Sequence, residues 1–125
     1  MYEKLGFFIN GEWRTGSGKG EDVLNPANES VLAFLPHASQ KDLEDALESA
    51  QRGFKIWKNT PVQKRAEILK KTADLIEERS EQIARIITLE QGKPLRESQG
   101  ELLRTVETFR WNAENAIENI EKRSI

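Results

Sequence analysis

Residues able to do chemistry are few in this sequence. Among its 125 residues there is one histidine, His37, and there is no cysteine. The missing cysteine excludes a disulfide, a thiolate zinc site and a cysteine nucleophile within this sequence, and one histidine leaves no multi-histidine metal site. His37 follows Pro36, and spacing places neither a nucleophile nor a carboxylate beside it. We therefore interpret it as a surface loop residue rather than a general base.

The glycine-rich segment 15–20 is the second candidate, as a phosphate-binding loop. A Walker loop requires Gly-Lys followed by Ser or Thr and then a helix, whereas Gly18 and Lys19 are followed by Gly20. A dinucleotide fingerprint also requires a helix directly after the glycines, and residues 21–26 have an extended pattern. The segment is therefore predicted to be a solvated turn, and we predict no cofactor-binding residue in it.

Carboxylates and aromatic residues are more numerous, but their spacing favours structural roles. The acidic residues fall on predicted solvated helix faces as i,i+4 partners, for example Glu118 with Lys122. Paired carboxylates for acid–base catalysis are therefore not indicated. Phe54, Trp57 and Phe109 lie on apolar stripes and are predicted to be core residues. Trp111 lies two positions off its stripe, which leaves an exposed or interface position open.

Charge and hydropathy argue against several classes of partner. The formal net charge of −2 lacks the clustered basic excess of nucleic-acid-binding proteins, so no nucleic-acid partner is predicted. The first residues lack a basic stretch followed by a long apolar run, which argues against a secretory signal. The longest apolar runs, 5–9 and 31–36, are far shorter than the ~20 residues of a membrane span. We predict a cytoplasmic protein with no membrane partner and no metal.

The chain changes character near residue 38. Residues 1–38 hold most of the glycines and are predicted to form strands and turns, whereas 39–125 carry most of the charge and are predicted to form four helices. Segment 7–14 places Asn10-Gly11 between Phe7-Phe8-Ile9 and Glu12-Trp13-Arg14, which is the signal for a hairpin with a type I′ turn. The predicted fold class is mostly α with a small amino-terminal hairpin and strand region.

Two further segments are predicted to be extended. Residues 22–25 stop at Pro26, which favours extended geometry for the residue before it. Residues 31–35 are apolar on both faces and end at Pro36, which is typical of a short buried strand.

The helices are predicted from their caps and from apolar residues at intervals of three and four. Asp42 stands where the third residue of a helix capped by Ser39 can return a hydrogen bond, a variant of the capping box, and Gly92 fits the left-handed position after a helix end. The predicted helices begin after Ser39, at Thr60-Pro61 with Thr60 as the cap, at Ser80, and near Pro94 or Leu95. Their apolar stripes are Leu43, Ala46, Leu47, Ala50, Phe54 and Trp57; Val62, Ala66, Leu69, Ala73 and Ile76; Ile83, Ala84, Ile86, Ile87 and Leu89; and Leu102, Val106, Phe109, Ala113, Ile117 and Ile120.

The order of these pieces resembles the amino-terminal segment of the aldehyde dehydrogenase superfamily. The most specific piece is Leu-Glu-Gln-Gly-Lys-Pro at 89–94, whose form most resembles the semialdehyde dehydrogenase branch. The match extends from about residue 7 to 116, whereas the segment 115–125 fits the family pattern poorly. The other matching pieces are 8–13, 23–27, 31–33, 46–57, 64–69, 75–79 and 100–114.

This resemblance implies that residues 1–125 are an incomplete amino-terminal part of an aldehyde dehydrogenase domain, namely the outer helical part of its α/β cofactor domain. Such enzymes oxidise aldehydes to carboxylic acids and pass hydride to NAD or NADP through a cysteine thiohemiacetal. Their catalytic cysteine, activating glutamate and nucleotide contacts lie later in the family's chains. The resemblance therefore implies no catalytic residue in this chain, and no cofactor is expected to bind it alone.

The resemblance also places two residues near a site. In the family the helix after Gly-Lys-Pro flanks the substrate tunnel, so Leu102 and Thr105 are expected to approach the tunnel wall, with ordinary helix packing as the alternative. The parent enzyme is expected to be a homo-oligomer that acts on a small aldehyde, and a semialdehyde is one candidate for this substrate.

Two other interpretations stay open beside that of an inactive part of an enzyme. The chain could be a stand-alone helical protein-interaction module derived from the family, or a remnant without function. If the chain is an inactive part of an enzyme, stripes that pack on a missing sheet leave apolar area exposed, which favours association of the isolated chain. A monodisperse chain that melts cooperatively as a monomer would instead favour the module.

Overall fold

The computed structural model describes residues 5–16 and 18–122, and its account of side chains excludes 117 and 119–122. The described residues form short strands followed by longer helices, which confirms the predicted fold class. The elements are β1 (Phe7–Ile9), β2 (Glu12–Arg14), β3 (Gly20–Leu24), β4 (Val31–Pro36), α1 (Gln40–Asn59), α2 (Val62–Glu78), α3 (Ser80–Gln91) and α4 (Leu95–Lys122).

Strands β1 and β2 form the predicted hairpin. They pair antiparallel with Ile9 opposite Glu12, and the turn residues Asn10 and Gly11 have φ of 55° and 84°. A type I′ turn needs a positive φ at both central positions, which Asn and Gly adopt most readily. The Asn10-Gly11 signal is therefore confirmed in its position and in its conformation.

Strands β3 and β4 form a separate antiparallel pair, so among the described residues each sheet has two strands. The register between them shifts at Val23 and Leu24. The prediction that 31–35 is a buried strand is wrong, because Val31, Phe34 and Leu35 are exposed. An apolar strand is buried on both faces only when other layers cover them, and β4 pairs with β3 alone.

Helix α1 begins as predicted but packs differently. The Ser39 amide and hydroxyl donate to the Asp42 carboxylate at 2.9 and 2.6 Å, and the Asp42 amide donates to the Ser39 hydroxyl at 3.1 Å. The prediction that Phe54 and Trp57 are core residues is wrong, because they are 65% and 41% exposed. No residue of α1 is buried. The apolar stripe therefore has the predicted spacing, but the described part of the chain does not bury it.

Helix α2 starts later than its predicted cap. Pro61 occupies the N-cap position without a side-chain cap hydrogen bond, and its carbonyl accepts the amide of Arg65 at 3.1 Å. The prediction of Thr60 as the cap is therefore wrong. Pro61, with ψ of 142°, keeps its backbone extended, so the helical conformation begins at Val62.

Helices α3 and α4 are separated by the predicted glycine stop. Gly92 has φ of 72°, α3 ends one residue before it, and α4 begins after Pro94. The stripe of α4 is buried at Leu102, Val106 and Ala113, as its spacing predicts. Its predicted continuation at 117 and 120 lies outside the described side chains.

The described residues form two compact units. The first is drawn from Met1–Lys58 and Leu89–Gly92, and the second from Asn59–Thr88 and Lys93–Ile125. In the second unit α2 packs on α4, and most of its fully buried positions are alanines. The buried apolar residues of this unit are Ala66, Ala73, Ala84, Leu102, Val106 and Ala113.

Candidate functional site

Leu102 and Thr105 lie three residues apart on α4, so their side chains leave neighbouring turns on the same side of the helix. Leu102 is 6% exposed, and Thr105 is half-buried. The Thr105 hydroxyl donates to the carbonyl oxygen of Glu101 at 2.9 Å. Its hydrogen bond is thus satisfied within the helix, and its methyl group is left as the contact surface. The tunnel assignment of both residues stays a prediction.

Only one of the two residues lines an open groove of the second unit. Leu102 is among its lining residues, and Thr105 is not. Apolar side chains of α4 meet polar side chains from the end of α2 and the start of α3. Since it contains no histidine and no cysteine, the groove offers no activated nucleophile. Its lining residues are Glu77, Ser80, Glu81, Gln99, Leu102, Leu103 and Val106.

The start of α4 carries a second, strongly charged surface. The Lys93 ammonium donates to the Glu101 carboxylate at 2.5 Å, and this hydrogen bond lowers the pKa of Glu101. Arg96, Glu97 and Arg104 line the same shallow surface. Because two carboxylates lie among the three cations, most of the positive charge on this surface is compensated, and it lacks the cluster of free cations that favours phosphate binding.

Arg110 connects α4 to α2 within the second unit. Its guanidinium donates to Asp74 at 3.0 Å and to Glu77 at 2.7 Å, and these hydrogen bonds raise the pKa of Arg110. The sequence indicates that Arg110 lies off the apolar stripe but does not indicate its partners, 33 and 36 residues away. This cluster joins the exposed margins of two helices, and both of its carboxylates are paired with Arg110 rather than placed for catalysis.

His37 has a surface position, as predicted, with its side chain 53% exposed. Its ring nitrogen Nε2 lies 3.6 Å from the Glu21 carboxylate. Spacing along the sequence does not suggest this pair; it arises because β3 and β4 run antiparallel, with Glu21 opposite Leu35. A lone imidazole beside a carboxylate, without a nucleophile, does not constitute a catalytic set.

The glycine-rich segment does not form a phosphate cradle among its described residues. Gly16 and Gly18 have φ of 73° and 80°, and the chain continues into strand β3 rather than a helix. The predicted turn is confirmed for these residues.

Within residues 5–16 and 18–122, no group of three acidic or histidine side chains is placed to hold a metal ion. No helix in the same ranges combines the length and the apolar composition needed to cross a bilayer.

Comparison with known proteins assigns the chain to a family. Residues 13–125 match the model of the aldehyde dehydrogenase family, and the chain therefore belongs to that family. Malonate-semialdehyde dehydrogenase 2 of Geobacillus kaustophilus is 43% identical over 107 residues, which are 85% of this chain and 22% of the relative. The chain thus spans less than a quarter of the length of this relative, and its similarity lies with the semialdehyde dehydrogenases, as the 89–94 piece predicts.

Solved structures agree in fold. Aldehyde dehydrogenase 21 from Physcomitrella patens, determined in complex with the reaction product succinate, superposes with a TM-score of 0.87 at 30% identity, covering 94% of this chain and 24% of that one. An NADP-dependent enzyme of E. coli superposes with a TM-score of 0.84 at 36% identity, covering 89% of this chain and 23% of the other. The strands and helices described above therefore form one part of the aldehyde dehydrogenase fold.

Proposed function

We propose that this chain is the amino-terminal part of an NAD(P)-dependent aldehyde dehydrogenase that oxidises a small aldehyde, of the semialdehyde class, to a carboxylic acid. The observation that carries the proposal is the 43% identity to a malonate-semialdehyde dehydrogenase over 85% of this chain. In this proposal residues 1–125 are an incomplete part of the enzyme's domain. The complete enzyme is a cytoplasmic homo-oligomer without a nucleic-acid or membrane partner.

The chain itself is proposed to be inactive. Aldehyde oxidation through a thiohemiacetal requires a thiolate that adds to the carbonyl carbon, and the sequence holds no cysteine. NAD or NADP is proposed to serve the complete enzyme and to be held by residues outside this chain. What these residues supply is therefore packing surface around the catalytic centre rather than reacting groups.

A chimera tests this proposal directly. The chain replaces the matching segment of the Geobacillus kaustophilus relative, and aldehyde-dependent formation of reduced nicotinamide is followed by absorbance. We expect a folded chimera with dehydrogenase activity on malonate semialdehyde, and no turnover by the 125-residue chain alone. A chimera that assembles like the parent but oxidises no aldehyde would contradict the first expectation. Turnover by the pure isolated chain would contradict the second.

The tunnel assignment is part of the same proposal. Thr105 is half-buried, and its hydroxyl is already bonded to Glu101, so Thr105→Val changes the contact surface with little effect on the helix. In the active chimera we expect a severalfold change in KM with kcat preserved, since a wall residue alters binding rather than chemistry. Thr108→Val is the matched control, because the exposed Thr108 makes the same bond to Arg104 at 2.8 Å. Equal effects of the two variants would argue for ordinary packing.

One observation favours the stand-alone interaction module as a second candidate. The second unit has its own buried residues where α2 packs on α4, and Arg110 adds two ion pairs between those helices. An independently stable unit would melt cooperatively in the isolated chain. Calorimetry with equal calorimetric and van't Hoff enthalpies, from a monodisperse monomer, would favour this candidate.

A further inference from the structure

We propose that the apolar face of α1 is a self-complementary surface on which a second copy of this chain docks in antiparallel orientation. The face is continuous, since at 3.6 residues per turn its five members fall within an arc of about 80° and extend over about 21 Å. It is also open, because no residue of α1 is buried. The five members, here called the α1 stripe, are Leu43, Leu47, Ala50, Phe54 and Trp57.

The rest of the first unit contacts α1 away from most of this stripe. The hairpin reaches the helix through Arg14, which donates to Asp45 at 2.6 Å, and through Asn10, whose side-chain oxygen lies 3.5 Å from the Ser49 hydroxyl and from the Arg52 guanidinium. By helical periodicity Asp45, Ser49 and Arg52 lie about a third to half a turn around from the middle of the stripe. Leu43 lines a shallow pocket with Phe7 and Ile9 of the hairpin, but Leu47 remains 58% exposed. A partner can therefore reach the stripe from Leu47 onwards without displacing the hairpin.

Charge along one edge of the stripe identifies the occupant. Glu44 and Glu48 precede its midpoint, Ala50, and Lys55 and Lys58 follow it. These four charged residues lie on the same side of the helix at 3.6 residues per turn. The edge is therefore acidic in its first half and basic in its second, and the Lys58 ammonium lies over the Phe54 ring at 5.7 Å from the ring centroid.

In an antiparallel pair, the charged edge of one copy lies against the same edge of the second copy, which runs in the opposite direction. With a two-fold axis near Ala50, Glu44 faces Lys55 of the second copy, and the acidic half of each edge meets the basic half of the other. In a parallel pair the charged edge of each copy would instead lie against the opposite, uncharged edge of its partner, which holds Ala46, Ser49 and Gly53, so the charges would find no partners across the interface. A two-fold axis also makes the interface isologous, so one surface serves both partners. Ala50, at the axis, has a small side chain that permits close helix approach.

Sedimentation equilibrium of the 125-residue chain tests the docking surface. We expect a mass that rises with concentration from one copy towards two. Leu47→Glu should weaken association at least about tenfold, because it buries an unpaired charge in the apolar contact. Ile56→Glu is the matched control, since Ile56 is 71% exposed on the same helix but off the stripe. A monomer at every concentration, or equal weakening by both variants, would overturn the proposal.

Charge-reversal variants test the orientation and do not rely on a single substitution. One carries Glu44→Lys and Glu48→Lys, and the other carries Lys55→Glu and Lys58→Glu. Each alone should associate at least about tenfold more weakly than the unmodified chain, and a mixture of the two should form a heterodimer with restored affinity. A mixture that associates no better than its components would overturn the antiparallel arrangement. Both experiments measure mass, so their outcome is separate from that of the activity test.

Discussion

Single residues show how local chemistry shapes the start of α1. Asp45 accepts hydrogen bonds from Arg14 at 2.6 Å and from Lys41 at 2.9 Å, and these two donors lower its pKa. Asp42 is similarly held by the hydroxyl and the amide of Ser39, which lower its pKa. The two carboxylates serve different purposes, since Asp42 completes the capping box with Ser39 and Asp45 joins the helix to the hairpin.

Asp45 should give stability a specific dependence on pH. A carboxylate whose pKa is lowered by folding contributes stability that is complete above its ordinary pKa and is lost as pH falls through the lowered value. We expect Asp45→Asn to reduce the free energy of unfolding most near neutral pH and to flatten its decline in acid. Urea unfolding at a series of pH values measures this. Asp22→Asn, at an exposed position on β3, is the control, and superimposable profiles for Asp45→Asn and the unmodified chain would refute the expectation.

Replacement of two glycines by alanine should change the stability of the chain in opposite directions. Gly92 has φ of 72°, and a Cβ there would lie 3.0 Å from Cγ of Pro26. Gly92→Ala should destabilise the chain by about 1–2 kcal/mol, the penalty of the left-handed conformation. Gly53 lies inside α1, where an added Cβ meets no described atom within 4 Å, so Gly53→Ala should stabilise by about 1 kcal/mol through helix propensity. Thermal unfolding distinguishes the two, and shifts of the same sign would contradict this account.

Among the helices, α2 and α4 pack through small side chains. Ala73 and Ala113 are completely buried, so their small side chains leave little room for added bulk. The larger buried side chains of this unit are Leu102 and Val106. Arg110 adds two ion pairs from α4 to α2 at its exposed margin, where such pairs contribute little stability. This helix pair therefore depends more on its buried apolar residues than on the ion pairs of Arg110.

Enlarging one of these alanines should separate the helices. Ala73→Leu places extra methylene groups into a filled contact, which typically costs about 1–3 kcal/mol. Ile68→Leu, at an exposed position of the same helix, should change the free energy of unfolding by less than about 0.5 kcal/mol. Denaturant unfolding compares them. If Ala73→Leu is as stable as Ile68→Leu, the contact is looser than the structure indicates.

The whole molecule is distinguished by the amount of apolar surface that it leaves open. Exposed large apolar side chains occur on the strands, on α1 and on α4, for example Trp13, Phe54 and Trp111. Contiguous exposed apolar surface usually marks an interaction site, and relatives such as the Geobacillus protein are more than four times as long as the part matched here. The exposed surface is consistent with a chain that completes its packing against other polypeptide.

An apolar dye should report this open surface. We expect the isolated chain to bind such a dye strongly at neutral pH, where its helices are formed, because exposed apolar patches bind it. The chimera described above should bind far less dye per molecule, since under the proposed function the remainder of the enzyme covers much of this surface. Fluorescence titration with circular dichroism on the same samples measures both properties. Weak dye binding by a helical isolated chain would show that its apolar faces are already covered.

Local features follow from the sequence because their interactions join residues close together in it. Asn10-Gly11 specifies the hairpin turn, Ser39 with Asp42 specifies the start of α1, and Gly92 specifies the end of α3. Each rests on hydrogen bonds or backbone preferences spanning a few residues. The family, too, is visible in the sequence, since the Leu-Glu-Gln-Gly-Lys-Pro piece and its neighbours keep their order.

Burial and pairing were decided by the tertiary structure. The stripes of α1 and α4 have similar periodicity, yet Leu102 is buried and Phe54 is exposed. Helix α4 packs on α2, whereas no residue of α1 is buried by the described part of the chain. Likewise Arg110 meets Asp74 only when two helices are brought together. Periodicity identifies the face that can be buried, but burial requires a second surface contributed by distant residues or by another polypeptide.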